Sequence, residues 1–206
     1  MTEENKLVAK EMLTQLSSRM HTAVSSYYVW KWLEQARNIN IGEEKANQNV
    51  KLMRLQNTFF HVVSRGSFYS FVIDLAIFFD KQDPALSLDK IIPLLDLNEE
   101  DKKLIEDIRK RQEVNIGKLK TIRDKDIAHF DIKNVDRTQT SKIIYHESEE
   151  LFSAVQDIFN ILSKNITGEL FIWDHLENII NREMFWLMDN LKRGEDKRIQ
   201  DIEDFS

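Results

Sequence analysis

Leu7, Val8, Met12, Leu13, Leu16, Met20, Val24, Tyr27 and Tyr28 recur at three- and four-residue spacings. That is the period of one apolar helix face. Trp30, Trp32 and Leu33 continue the stripe, which predicts a long helix over about residues 3–38. The run Asn38-Ile-Asn-Ile-Gly42 lets the chain leave it. Only 5 glycines and 2 prolines occur among 206 residues. Strand-rich folds use more of both in tight turns. With 31% charged and 42% hydrophobic residues, the pattern is that of amphipathic helices rather than of disorder.

The rest of the chain reads the same way. A second helix is predicted over about residues 44–80. It becomes apolar on nearly all sides in the run Phe68 to Phe79, as a helix packed by several neighbours does. Ser64-Arg65-Gly66-Ser67 is the expected bend, and the residue before Pro84 the expected end. Ser87 is expected to cap a short helix over 88–95, which Pro93 limits. Asn98 is expected to cap the next, with Glu99, Glu100 and Asp101 in its first turn. Gly117 is the expected kink or break before the chain runs through Leu119 and Ile122 into residues 123–131. Residues 132–141 read as a loop. Helices are predicted over 142–163 and 171–192, separated by Asn165-Ile-Thr-Gly168. From Arg193 the chain reads as a mobile charged tail.

The expected fold class is all-α: an antiparallel helical bundle of about five to six helices. Residues 1–165 would form the bundle. Residues 166–206 would supply a C-terminal helix and charged tail packing on it or extending it. Trp30, Trp32, Trp173, Phe185 and Trp186 have two readings, as core or as an interface with a partner chain.

Several function classes drop out. There is no cysteine, hence no disulfide framework, thiolate zinc site or cysteine nucleophile. The N-terminal MTEENKLVAKEM lacks the apolar segment of a secretory signal. The run from Phe68 to Phe79 is too short for a membrane span. A cytoplasmic chain without membrane association is therefore expected. The net charge of −6 is wrong for a nonspecific DNA coater. Residues 101–125 nevertheless carry nine Lys/Arg against five Asp/Glu. This run is either a solvated helix face or a phosphate-attracting surface.

Five histidines are candidates for chemistry: His21, His61, His129, His146 and His175. His21 and His61 lie in long amphipathic helices and read as packing or boundary residues. His146-Glu147 has no second histidine four residues on, so the zinc-protease pattern fails. A di-iron bundle needs two Glu-x-x-His pairs, and the nearest match is one Asp126-x-x-His129. No metal and no cofactor are expected. No P-loop or Gly-x-Ser-x-Gly is present.

His129 follows Arg123 by six positions, with Asp124 directly after the arginine. Six helical residues give about 600° of rotation and roughly 9 Å of rise, so the two side chains project about 120° apart. A cleft shared across a two-fold axis would bring them together more naturally. These residue types suit phosphodiester cleavage. Histidine transfers protons near neutral pH, and arginine's planar fork holds phosphate oxygens as charge builds. Asp124 could fix the arginine's direction. Lys118, Lys120 and Lys125 would attract RNA.

The string Ile122-Arg-Asp-Lys-Asp-Ile-Ala-His-Phe-Asp131 resembles the signature of HEPN domains, in the form of the AbiU-type abortive-infection branch. Phe78-Phe79-Asp80-Lys81, followed by Ser87-Leu-Asp-Lys-Ile-Ile92, is similar to that branch too. The resemblance implies a helical bundle, homodimerisation, and metal-independent endoribonuclease activity with Arg123, Asp124 and His129 at the dimer cleft. It implies a role in phage defence or as a toxin, with an antitoxin or a nucleotidyltransferase as possible partner. Some toxin members carry a modifiable tyrosine two residues after the histidine; here that position is Asp131. The competing expectation is a non-catalytic helical module that binds RNA or nucleotide, or scaffolds a defence system. A metal-binding bundle enzyme is a third.

Overall fold

In the computed structural model, residues 2–80, 86–124 and 145–204 are described. Every regular element among them is helical: α1 (Glu3–Gln35), α2 (Glu43–Leu55), α3 (Asn57–Ile77), α4 (Leu88–Ile91), α5 (Glu99–Arg111), α6 (Glu113–Ile122), α7 (Tyr145–Ile166) and α8 (His175–Asp204). Short 3-10 turns cover Ile39–Ile41 and Ile92–Leu94. The all-α bundle expected from the sequence is thus what the chain forms. Eight α-helices stand where about five to six were expected, because two predicted helices are each divided.

The divisions fall at Gln56 and Gln112, not at Gly66 or Gly117, which lie inside α3 and α6. Neither break carries a glycine or proline. At the first, Leu52 and Met53 of α2 and Phe60 of α3 all enter one apolar cluster, and burial sets where the helix stops. At the second, the Gln112 side chain accepts a hydrogen bond from Asn115 at 2.8 Å, and α5 and α6 both pack on α7.

Other boundaries follow local chemistry. Gly42 and Gly168 have φ of 101° and 76°, values that side chains with a Cβ rarely adopt. Gly168 donates its N–H to Ser163 O at 2.9 Å and closes α7. Asn98 caps α5 as expected, its Oδ1 accepting from Asp101 N at 2.7 Å. Ser87 does not cap as expected. It stands before α4, but its side chain makes no cap bond, and its hydroxyl is fully buried without a partner. The last helix does not end near 192 as expected: α8 runs to Asp204. Arg193–Asp189 and Arg198–Glu195 ion pairs, at i,i+4 and i,i+3, support it.

The chain divides into two compact units, each discontinuous in sequence. One comprises Met1–Val24 and Tyr69–Trp173, the other Ser25–Phe68 and Asp174–Ser206. The core of the first buries Leu13, Leu16 and Met20 of α1, Phe71 and Leu75 of α3, and Leu151, Val155 and Ile158 of α7. At its heart Phe159 is fully buried, with edge-on contacts to Phe78 at 5.6 Å, Phe171 at 5.4 Å and Trp173 at 5.4 Å. The second unit buries Leu33, Leu52, Met53, Phe60, Met184 and Met188 together. In it, buried Asn49 donates to Ala36 O at 3.0 Å. Of the aromatic residues with two readings, Trp173 is core. Trp30 and Trp32 are half-buried, while Phe185 and Trp186 are 56% and 54% exposed. Among the described residues no helix is long and apolar enough to cross a membrane.

Candidate functional site

The site is built at the end of α6. Leu119 and Ile122 are buried and anchor that helix in the first unit's core. Arg123 follows with helical backbone angles. Its side chain is only 19% exposed and is bent over two carboxylates. Nη1 donates to Asp80 Oδ2 at 2.8 Å, and Nε donates to Asp124 Oδ1 at 2.7 Å. The Asp124 hydrogen bond most strongly raises the Arg123 pKa above its ordinary value, with Asp80 adding to it and burial opposing. The guanidinium is therefore charged at every working pH.

Asp80 reaches this place from the far side of the sequence. It lies just beyond α3, where Phe78 and Phe79 are buried. Its N–H donates to Ile77 O at 3.1 Å, and Leu88 N donates to Phe78 O at 3.2 Å. The backbone that carries Asp80 is thereby held. In the sequence Asp80 lies inside the family-like string Phe78-Phe79-Asp80-Lys81, where nothing links it to Arg123. Only its 43-residue leap to Arg123 reveals a role, and spacing carries no signal for such a contact.

Asp124 stands where the sequence put it, against the arginine. His129 and Lys125 lie outside the described residues, as do Asp131 and the predicted loop over 132–141. Lys118 does not stand free. Its Nζ bonds Glu147 Oε1 on α7. Lys120 is half-buried, with no carboxylate within ion-pair distance among the described residues.

The positive balance of residues 101–125 is largely taken up from outside that stretch. Lys102 pairs with Glu99 at 2.7 Å, Arg109 with Asp89, Lys118 with Glu147, and Arg123 with Asp80. The local field is correspondingly weaker than the residue count suggests. Arg123, Asp80 and Asp124 together carry a formal charge of one guanidinium against two carboxylates. Two of the guanidinium's five N–H donors go to those carboxylates.

The remaining histidines gather no ligand set. His21 and His61 are exposed on α1 and α3, which leaves the boundary rather than the packing expectation. His146 is a surface residue paired with Glu150 at 3.0 Å, and His175 begins α8. Among the described residues no group of three or more His, Cys, Asp or Glu could hold a metal ion.

Comparison with known proteins adds one match. A HEPN family model, AbiU2, matches residues 9–183, a span that contains Asp80, Arg123, Asp124 and His129. No curated protein matches the chain, and no solved structure does. With most of its length under that model, this chain belongs to the AbiU2 family of HEPN domains.

Proposed function

We propose that this protein is a metal-independent endoribonuclease of phage defence or of a toxin-like stress response. One observation carries the reading: a guanidinium hydrogen-bonded to two carboxylates heads the Arg123-Asp124…His129 segment of a HEPN chain. Arg123 holds the non-bridging oxygens of the scissile phosphate through donors the carboxylates leave. The RNA 2′-hydroxyl attacks the adjacent phosphorus, giving up its proton to a base. A P–O2′ bond forms and the P–O5′ bond breaks, leaving a cyclic phosphate. The departing 5′-oxygen takes a proton from an acid. His129 serves as acid or base. A homodimer would bring a second imidazole for the other transfer. Lys118, Lys120 and Lys125 attract the RNA backbone. Such an enzyme would act in the cytoplasm, away from membranes, with an antitoxin or a nucleotidyltransferase as its partner.

The test is cleavage of labelled RNAs by purified protein in EDTA. Wild type should cut, and His129→Ala should not. Equal cutting by both would remove His129 from the mechanism.

A second reading has its own support. The ion pairing of Arg123, Lys118 and Arg109 is what structural cross-links look like, and it suits a non-catalytic module that binds RNA or scaffolds a defence system. RNA binding by a wild type that cuts nothing would favour it.

A further inference from the structure

We propose that Asp80 is the positioning residue of this site: it pins the Arg123 guanidinium to the end of α3 and aims its open donors at the scissile phosphate. The phosphate half of this rests on the ribonuclease reading; the pinning half rests on the ion pair alone.

Among the described residues two carboxylates touch Arg123, but they do different work. Asp124 is the next residue in the chain, so it moves with Arg123 and cannot fix it relative to the fold. Its side chain is 55% exposed, and water screens such a pair. Asp80 sits 43 residues away, beyond a helix end held by buried Phe78 and Phe79. Its side chain is 16% exposed, so screening is weaker. Among the described residues only Asp80 ties the arginine to a second rigid element, and sites held by rigid elements keep their geometry.

The donor arithmetic agrees. Asp124 takes Nε–H and Asp80 takes one N–H of Nη1. Among the described residues nothing takes the other Nη1 hydrogen or the two on Nη2, and a planar fork of this kind meets two phosphate oxygens at once. Asp80 also adds negative charge beside the phosphate position. It therefore opposes ground-state binding of RNA while fixing transition-state geometry. Neutralising it should bind RNA as well or better and cut it more slowly. A side chain that merely supported folding would weaken both.

The experiment has two arms. In the first, steady-state cleavage is measured for Asp80→Asn, Asp80→Glu and Asp124→Asn, with circular dichroism to check helicity. Asp80→Asn should lose about a hundredfold in kcat, the scale of a misplaced catalytic group, with KM unchanged or lower. Asp80→Glu should recover part of that loss, and Asp124→Asn should lose less. Wild-type kcat in Asp80→Asn, or a larger loss in Asp124→Asn, overturns the proposal. In the second arm, the guanidinium of Arg123 is observed by NMR in the wild type, assigned by its loss in Arg123→Lys. Two separate Nη signals, reflecting hindered rotation, support the pinning; one averaged signal overturns it. A wild type that cuts no RNA yet shows separate Nη signals overturns the ribonuclease reading and upholds the pinning.

Discussion

Lys118 of α6 donates a hydrogen bond to Glu147 of α7, whereas Lys120, two residues on, has no carboxylate partner among the described residues. The two lysines are near-equivalent in sequence and unequal in the fold. Lys118 already has its charge compensated by a side chain from another helix. Among the described residues no carboxylate compensates Lys120 in this way.

RNA affinity should register that difference. Lys120→Ala should weaken binding and reduce the slope of log affinity against log salt by about one, as the loss of one phosphate contact does. Lys118→Ala should change the slope less. Titrations of a 2′-deoxy RNA analogue at several salt concentrations would measure both. An equal effect of the two would show that the Glu147 pair does not shield Lys118.

Arg123→Lys keeps the charge and loses the fork. A lysine cannot bridge Asp80, Asp124 and a phosphate in one plane. Cleavage should fall by about a hundredfold or more, the cost of removing an oxyanion donor. The pH profile gives a second check. The Arg123 pKa is raised, by Asp124 first and then Asp80. A raised pKa means its contribution is complete below the ordinary arginine value and is lost only above it. Any break in the rate profile between pH 5 and 9 therefore belongs to another group.

In α8 the sign runs the other way. Arg198 grips Glu195 through Nε and Nη2, both at 2.8 Å, and that bond lowers the Glu195 pKa. A lowered pKa gives stability that is present above the ordinary carboxylate value and lost as pH falls through the depressed one. The far end of α8 should lose helicity on acidification below about pH 4.5. Glu195→Gln should remove that step. Circular dichroism against pH reads it, and an unchanged titration in the variant would rule the pair out as its cause. Arg198 is 59% exposed, although Glu195 is only 12% exposed, so water screens the pair from one side and the effect on global stability is small.

Phe159→Ala should destabilise the protein by about 3–5 kcal/mol, the range for deleting a buried aromatic ring. Phe159 is fully buried and touches Phe78, Phe171 and Trp173, so three neighbours would border the cavity. A shift in the denaturant midpoint measures it. Because Phe78 lies two residues before Asp80, the variant should also slow cleavage by loosening the helix end that carries the carboxylate.

Much of this fold was legible in the residues. The three- and four-residue spacing of α1 located it to within three positions of Gln35. Gly42 and Gly168 marked boundaries because only their backbones reach those angles easily. Asn98 marked a cap because its oxygen bonds an N–H three residues on. Each is a local rule, satisfied by neighbours in the chain. The breaks at Gln56 and Gln112 were not legible, since no residue there forbids helix. They come from the way flanking apolar side chains are buried.

The same division runs through the site. Sequence alone determined the helical class, the family string and the adjacency of Arg123 and Asp124, because periodicity, motif and nearest-neighbour bonding are properties of a linear chain. Tertiary structure alone decided that Asp80 holds Arg123, that Glu147 holds Lys118 and that the basic stretch is largely compensated. Coulomb attraction acts on distance through space, and folding brings together charges that the sequence keeps dozens of residues apart.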